Sequence, residues 1–196
     1  MNGQLEQEFA RELRSDERLL WYGQPATGLR LQPADALVIP FSLLWAGFAV
    51  FWETGVIATD APILFKLFGV PFVIAGAYIT VGRFFFDAYR RSRIAYALTT
   101  HRIIFLRTLW GRTVESIDLT GLPQITVQEH RDRSATIAFG PSAGIHSMMA
   151  GSGWPGVGKY MPPRFERVAN GRDVYDRILR AKESQMATRP QARLLI

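Results

Sequence analysis

The chain has 196 residues, of which 48% are hydrophobic and 20% charged, with a net charge of +6 and a mean hydropathy of +0.04. That length allows one domain, or one small domain with an appendage, and the apolar content excludes general disorder. With no cysteine, disulfides, zinc–thiolate sites, iron–sulfur ligation and thiol nucleophiles are excluded as well.

The first 33 residues are too polar for a cleavable signal peptide. Within them Leu5, Phe9 and Leu13 fall four apart, which predicts a short amphipathic helix. Such a helix could lie on a membrane with Leu and Phe in the lipid. Packing against a folded domain suits its acidic polar face, Glu6, Glu8 and Glu12, better. Leu19, Leu20 and Trp21 follow, and Trp21 is a candidate contact for a membrane or a partner.

Leu37 to Trp52 carries no charge, and Ile63 to Phe86 is broken only by Lys66 and Arg83. A membrane-spanning helix needs roughly 20 mainly apolar residues. The second run meets this, because Lys66 and Arg83 can snorkel towards the interfaces; the first must borrow Ala34 and Ala36. A transmembrane hairpin is therefore expected over 34–86, with spans at about 34–52 and 63–86. Neither run has a polar face, so in a soluble protein each would need cover on every side. The rest of so short a chain could hardly supply it. Pro40 and Pro71 are tolerable in a bilayer, and Gly47, Gly69, Ala75, Gly76 and Ala77 permit close helix packing.

The connector Glu53 to Pro62 contains no Lys or Arg. Arg11, Arg14, Arg18 and Arg30 precede the first span, and Arg83, Arg90, Arg91 and Arg93 mark the end of the second. The positive-inside rule then puts both termini in the cytoplasm, for a multi-pass protein of the inner (plasma) membrane. The four arginines after the second span are candidate contacts for anionic lipid. They serve equally to enforce the topology.

From Ile94 the texture becomes β. Strands are expected at 94–98, 103–106, 114–119, 125–127 and 135–139, with tight connections that argue for an antiparallel meander. A glycine-rich insertion, 140–163, follows, and its Met148, Met149 and Trp154 are candidate contacts for the bilayer or a partner protein. A floppy or hairpin-forming insertion is the alternative. A helix is expected from about Arg172 to Ser184, with Asn170 as N-cap and Val174, Ile178 and Ala181 on its apolar face. The tail, 187–196, is expected to be flexible.

No catalytic constellation emerges. His101, His130 and His146 lack metal-ligand spacing, and no serine sits in a nucleophile elbow. Gly151 to Gly156 matches G-x-G-x-x-G formally, but Pro155 opposes the helix start that such a phosphate site needs. Neither a catalytic residue nor a cofactor nor a metal is expected. From Asp87 onward 17 basic residues face 9 acidic ones, a surplus of +8, and the remainder carries −2. For a tethered domain the nearer partner of that charge is the membrane surface rather than nucleic acid.

Glu17–Arg18–Leu19–Leu20–Trp21–Tyr22–Gly23–Gln24–Pro25 resembles the opening motif of bacterial PH-domain membrane proteins. Tyr96–Ala97–Leu98–Thr99–Thr100–His101–Arg102–Ile103 is similar to that family's Y-x-L-T-x-x-R-I strand–turn–strand. Pro162 to Val168, followed by Val174–Tyr175, resembles its last strand and capping helix. The resemblance runs from Glu17 to Lys182. It implies a PH-like domain over 87–186, an antiparallel barrel or bent sheet capped by the C-terminal helix. The expected function is that of a non-catalytic scaffold or accessory subunit of a membrane complex, alternatively a sensor of anionic lipid surfaces. The expected partners are membrane lipids and other membrane proteins or further copies of the chain.

Overall fold

The computed structural model describes residues 2–31, 35–122, 124–140 and 162–188, so Met148, Met149, Trp154, His146 and the tail beyond 188 lie outside the described residues. The chain forms two units: a helical one within 28–89, and a β domain that takes residues up to Thr27 and from Arg90 onward.

In the helical unit, α2 (Asp35–Ala58) turns through a short connector into α3 (Ile63–Ala77). A π-helical segment, Tyr78–Gly82, joins α3 to α4 (Arg83–Ser92). The two legs run antiparallel. Gly69 lies under Glu53, Gly76 against Ala46, Thr80 donates to the Ser42 carbonyl at 3.3 Å, and Arg83 meets Asp35. Close approach dictates glycine at position 76, since a Cβ there would sit 3.0 Å from the Ala46 Cα. Asp35–Ala58 and the continuous stretch Ile63–Ser92 are both long and apolar enough to cross a membrane. Their outward side chains are bare: Leu44 is 73% exposed, Phe51 75% and Leu64 73%. These are not the covered core helices of a water-soluble fold.

The β domain begins with α1 (Asn2–Ala10) and β1 (Leu19–Gly23), then resumes after the helical unit. β2 (Ile94–Thr99), β3 (Arg102–Arg107) and β4 (Thr113–Asp118) complete an antiparallel sheet in the order β1-β2-β3-β4. β5 (Ile125–Glu129), β6 (Ala135–Phe139) and β7 (Arg164–Val168) form a second antiparallel sheet, and α5 (Gly171–Thr188) ends the described chain. Two sheets stand where a closed barrel was one expectation, and no closed barrel forms among the described residues. The ladder stops at Asp118, whose carboxylate accepts from the Thr120 N–H at 2.9 Å and turns the chain into a 3₁₀ segment, Leu119–Gly121.

Period-two alternation places Ile94, Tyr96, Leu98, Ile103 and Phe105 in a core shared with Ile137, Phe139, Phe165 and Val168 of the second sheet. Val174, Ile178 and Ala181 of α5 cover it, on the face the sequence predicts. Asn170 precedes the helix and its carbonyl accepts from the Val174 N–H, but its φ of 50° is left-handed rather than the extended backbone usual for an N-cap. The opposite face of the first sheet is also covered. Ala95 and Ala97 are small enough to admit Phe9 of α1, which is fully buried beside Ile104 and Leu106. The N-terminal helix therefore packs on the β domain. Leu13, the last member of its predicted apolar stripe, falls outside the helix.

Truncating Phe9 leaves a cavity where two alanines cannot close in, so Phe9→Ala should cost about 3–5 kcal/mol. Thermal unfolding of the full chain in detergent checks this, with hydrogen exchange at 95–98 expected to rise alongside.

Candidate functional site

The residues of the two leading motifs meet in space. Glu17, whose carboxylate is fully buried, lies just before β1, and Thr99 and Arg102 flank the β2–β3 turn. Arg102 grips Glu17 with Nε at 3.0 Å from Oε1 and Nη2 at 3.0 Å from Oε2, across 85 positions of sequence. The Thr99 hydroxyl donates to Glu17 Oε1, and the Arg14 N–H donates to Oε2 at 3.1 Å. Thr99 Oγ1 also accepts from the Arg102 N–H at 3.0 Å, shaping the turn itself. Burial pushes the Glu17 carboxyl up, but the hydrogen bonds from Arg102, Thr99 and the Arg14 backbone outweigh it and hold the group below its ordinary value. Each residue type in E…T-x-x-R has a partner.

Tyr96 ties the two sheets. Its ring stacks on Phe165 at 4.6 Å and its hydroxyl accepts from the Glu166 N–H at 3.1 Å. Burial, with the Glu166 charge nearby, pushes its phenol well above the usual range. Trp21 packs half-buried on the same Phe165, ring centroids 5.5 Å apart, so its indole contributes to the core.

The four arginines of the expected lipid patch occupy different surroundings. Arg83 is buried, with Nη1 2.8 Å from Asp35 Oδ1 and its guanidinium over the Phe84 ring at 4.4 Å. Arg83 Nε and Nη2 have no protein partner. Arg90 approaches Glu166 at 3.4 Å. Arg91 is buried and donates to the Ala26 carbonyl at 3.0 Å, clasping the chain where it leaves the β domain to where it returns. Arg93 is exposed, and its carbonyl accepts from the Thr108 N–H at 2.9 Å. Arg83, Arg90 and Arg91 thus each have a partner within the protein. The Asp35 partner went unnoticed in sequence, though Asp35 and Arg83 stand equally far either side of Thr59, as facing positions of an antiparallel hairpin should.

Between α2 and α3 lies a cavity of about 290 Å³ walled by Trp45, Phe48, Ala49, Trp52, Phe68, Gly69 and Phe72. Its wall is apolar. Among the described residues no group of three or more His, Cys, Asp or Glu could hold a metal ion. His101 Nε2 stands 3.8 Å from Asp16, and His130 Nε2 lies 3.1 Å from Thr136 Oγ1.

Comparison with known proteins leaves the geometry to speak alone: no family model, no curated protein and no solved structure matches this chain.

Two predictions follow from the ion pairs. Because the Glu17 carboxyl is depressed in the folded state, its contribution is present above the unfolded value near 4.5 and is lost as pH falls through the folded one. Glu17→Gln should destabilise the full chain at pH 7 by about 3–5 kcal/mol and flatten the acid limb of a Tm-against-pH profile. Asp35→Ala strands the Arg83 charge and should lower the melting temperature in detergent more than Asp35→Leu with Arg83→Met together, since a matched apolar pair is often neutral. Equal losses in the two variants would show that the pair is not coupled.

Proposed function

We propose that this chain is a membrane-anchored, non-catalytic platform: the helical hairpin spans the bilayer, and the β domain stands at its cytoplasmic surface to bind other proteins. The observation that carries the reading is the hairpin's bare apolar exterior, ordered around one internal ion pair. Water offers such a surface no partner, whereas lipid or a neighbouring helix does. Polar groups inside a span pair with one another, as Asp35 and Arg83 do.

A PH-like reading of the β domain draws support from two antiparallel sheets and a C-terminal helix over one core. That core is filled by Tyr96, Phe105, Phe139 and Phe165, which leaves the domain's surface as the place for recognition. Gly47 and Gly55 of α2 have open space where a Cβ would stand, so another helix can approach closely there. The engagement of Arg83, Arg90 and Arg91 with Asp35, Glu166 and Ala26 favours a protein platform over a lipid sensor.

The absence of native cysteine makes the test clean. In intact cells a membrane-impermeant thiol reagent should label Thr59→Cys in the connector and spare Gln128→Cys on the β domain. Native mass spectrometry after mild extraction should then show a co-purifying chain or a second copy. Labelling only at position 128 would reverse the orientation, and a lone monomer would remove the platform reading.

A further inference from the structure

The turn between β3 and β4 carries the most exposed large hydrophobic residue described. Trp110 is 89% exposed, more than any large hydrophobic side chain on either apolar helix. Gly111 follows it with φ of 144°, a conformation closed to most side chains, and so lets the turn hold the indole out. An indole left in water on a five-residue turn loses the burial that most large aromatics gain on folding.

Its place in the sheet supplies the reason. The chain leaves the sheet after Gly23, which pairs with Tyr96, and re-enters at Ile94, which pairs with Arg107. Thr108 then donates its N–H to the carbonyl of Arg93, the residue after the Ser92–Arg93 junction where α4 ends. The Trp110 turn therefore lies at the end of the sheet where the chain departs after β1 and re-enters at β2. Trp110 is two residues past Thr108, at most about 7 Å of chain. On α4 the exposed apolar stripe runs through Phe85 to Tyr89, which is 50% exposed and four residues, about 6 Å of helix, before Arg93. Tyrosine and tryptophan are the side chains that favour the boundary between hydrocarbon and headgroups.

We infer that Trp110 is an interfacial anchor: the β3–β4 turn dips into the headgroup region of the bilayer that the hairpin crosses, and fixes the β domain against that surface. The inference rests on the spanning reading and adds to it a contact from the soluble domain. Its occupant is lipid, not a protein. Arg107 and Arg112 at the turn have carboxylate partners in Glu115 and Glu12, so the anchor works through the indole and does not need anionic lipid.

Single cysteines carrying a nitroxide test it in the full chain reconstituted in phosphatidylcholine vesicles. Leu44→Cys reports on α2, Leu109→Cys sits beside an intact Trp110, and Gly121→Cys lies at the far end of the sheet with open space around it. The expected ratio of oxygen to nickel-chelate accessibility is highest at 44, intermediate at 109 and lowest at 121. Trp110→Ser in the Leu109→Cys background should drop position 109 to the level of 121. A label at 109 as water-exposed as that at 121, while 44 stays in lipid, overturns the anchor and leaves the spanning reading standing. An unchanged ratio after Trp110→Ser also overturns it, since the indole would then not be what holds the turn. An aqueous signal at 44 removes both readings together.

Discussion

The β domain depends on one buried ion pair. Arg102 reaches from the β2–β3 turn to the segment before β1 and closes on a carboxylate that has no contact with water. Desolvating both charges is costly, and it is offset only because every oxygen of Glu17 is met by a directed donor: Arg102, Thr99 and the Arg14 N–H. The pair specifies where the first 23 residues attach. Local hairpins would assemble β2, β3 and β4 without it, but β1 arrives from far along the chain and needs a unique address. A charge pair with fixed geometry supplies register in a way that a greasy contact between Leu19 and its neighbours cannot.

Much of the architecture was legible because it is local. The β-rich texture along 94–98 and 135–139, the two long apolar runs, and the apolar face of the last helix can all be read from neighbouring residues. What escaped was whatever depends on pairing across distance. β1 is five residues long and its register slips between Leu19 and Trp21, so it shows no clean alternation, and its partner is some 70 residues away. The domain expected over 87–186 consequently lacked its edge strand and its outer helix, both of which come from before the hairpin. Both faces of β2 are buried, which makes its Ala95 and Ala97 look merely small until Phe9 is seen against them. The arginines were visible as a cluster in sequence because they are close in number. In the structure Arg83 meets Asp35, Arg90 approaches Glu166 and Arg91 donates to the Ala26 carbonyl.

The hairpin is inserted between two adjacent strands, and this constrains both units. The chain departs after β1 and returns into β2, its hydrogen-bonded neighbour, so the two legs must begin and end together. Arg91 reinforces the point by donating to Ala26, and Ala26 itself donates its N–H to the Arg167 carbonyl of β7. Exit and re-entry are thereby fastened to both sheets.

Closing a loop of about 70 residues as random coil would carry a length-dependent entropy cost of about 4 kcal/mol. An antiparallel helical hairpin removes much of that cost in advance, because Gly76 on Ala46 and Arg83 on Asp35 already bring the legs side by side. Pairing inside the helical unit therefore lowers the cost of bringing β1 to β2. A defect at Asp35 is therefore expected to weaken the pairing of β1 with β2 through the entropy of the loop.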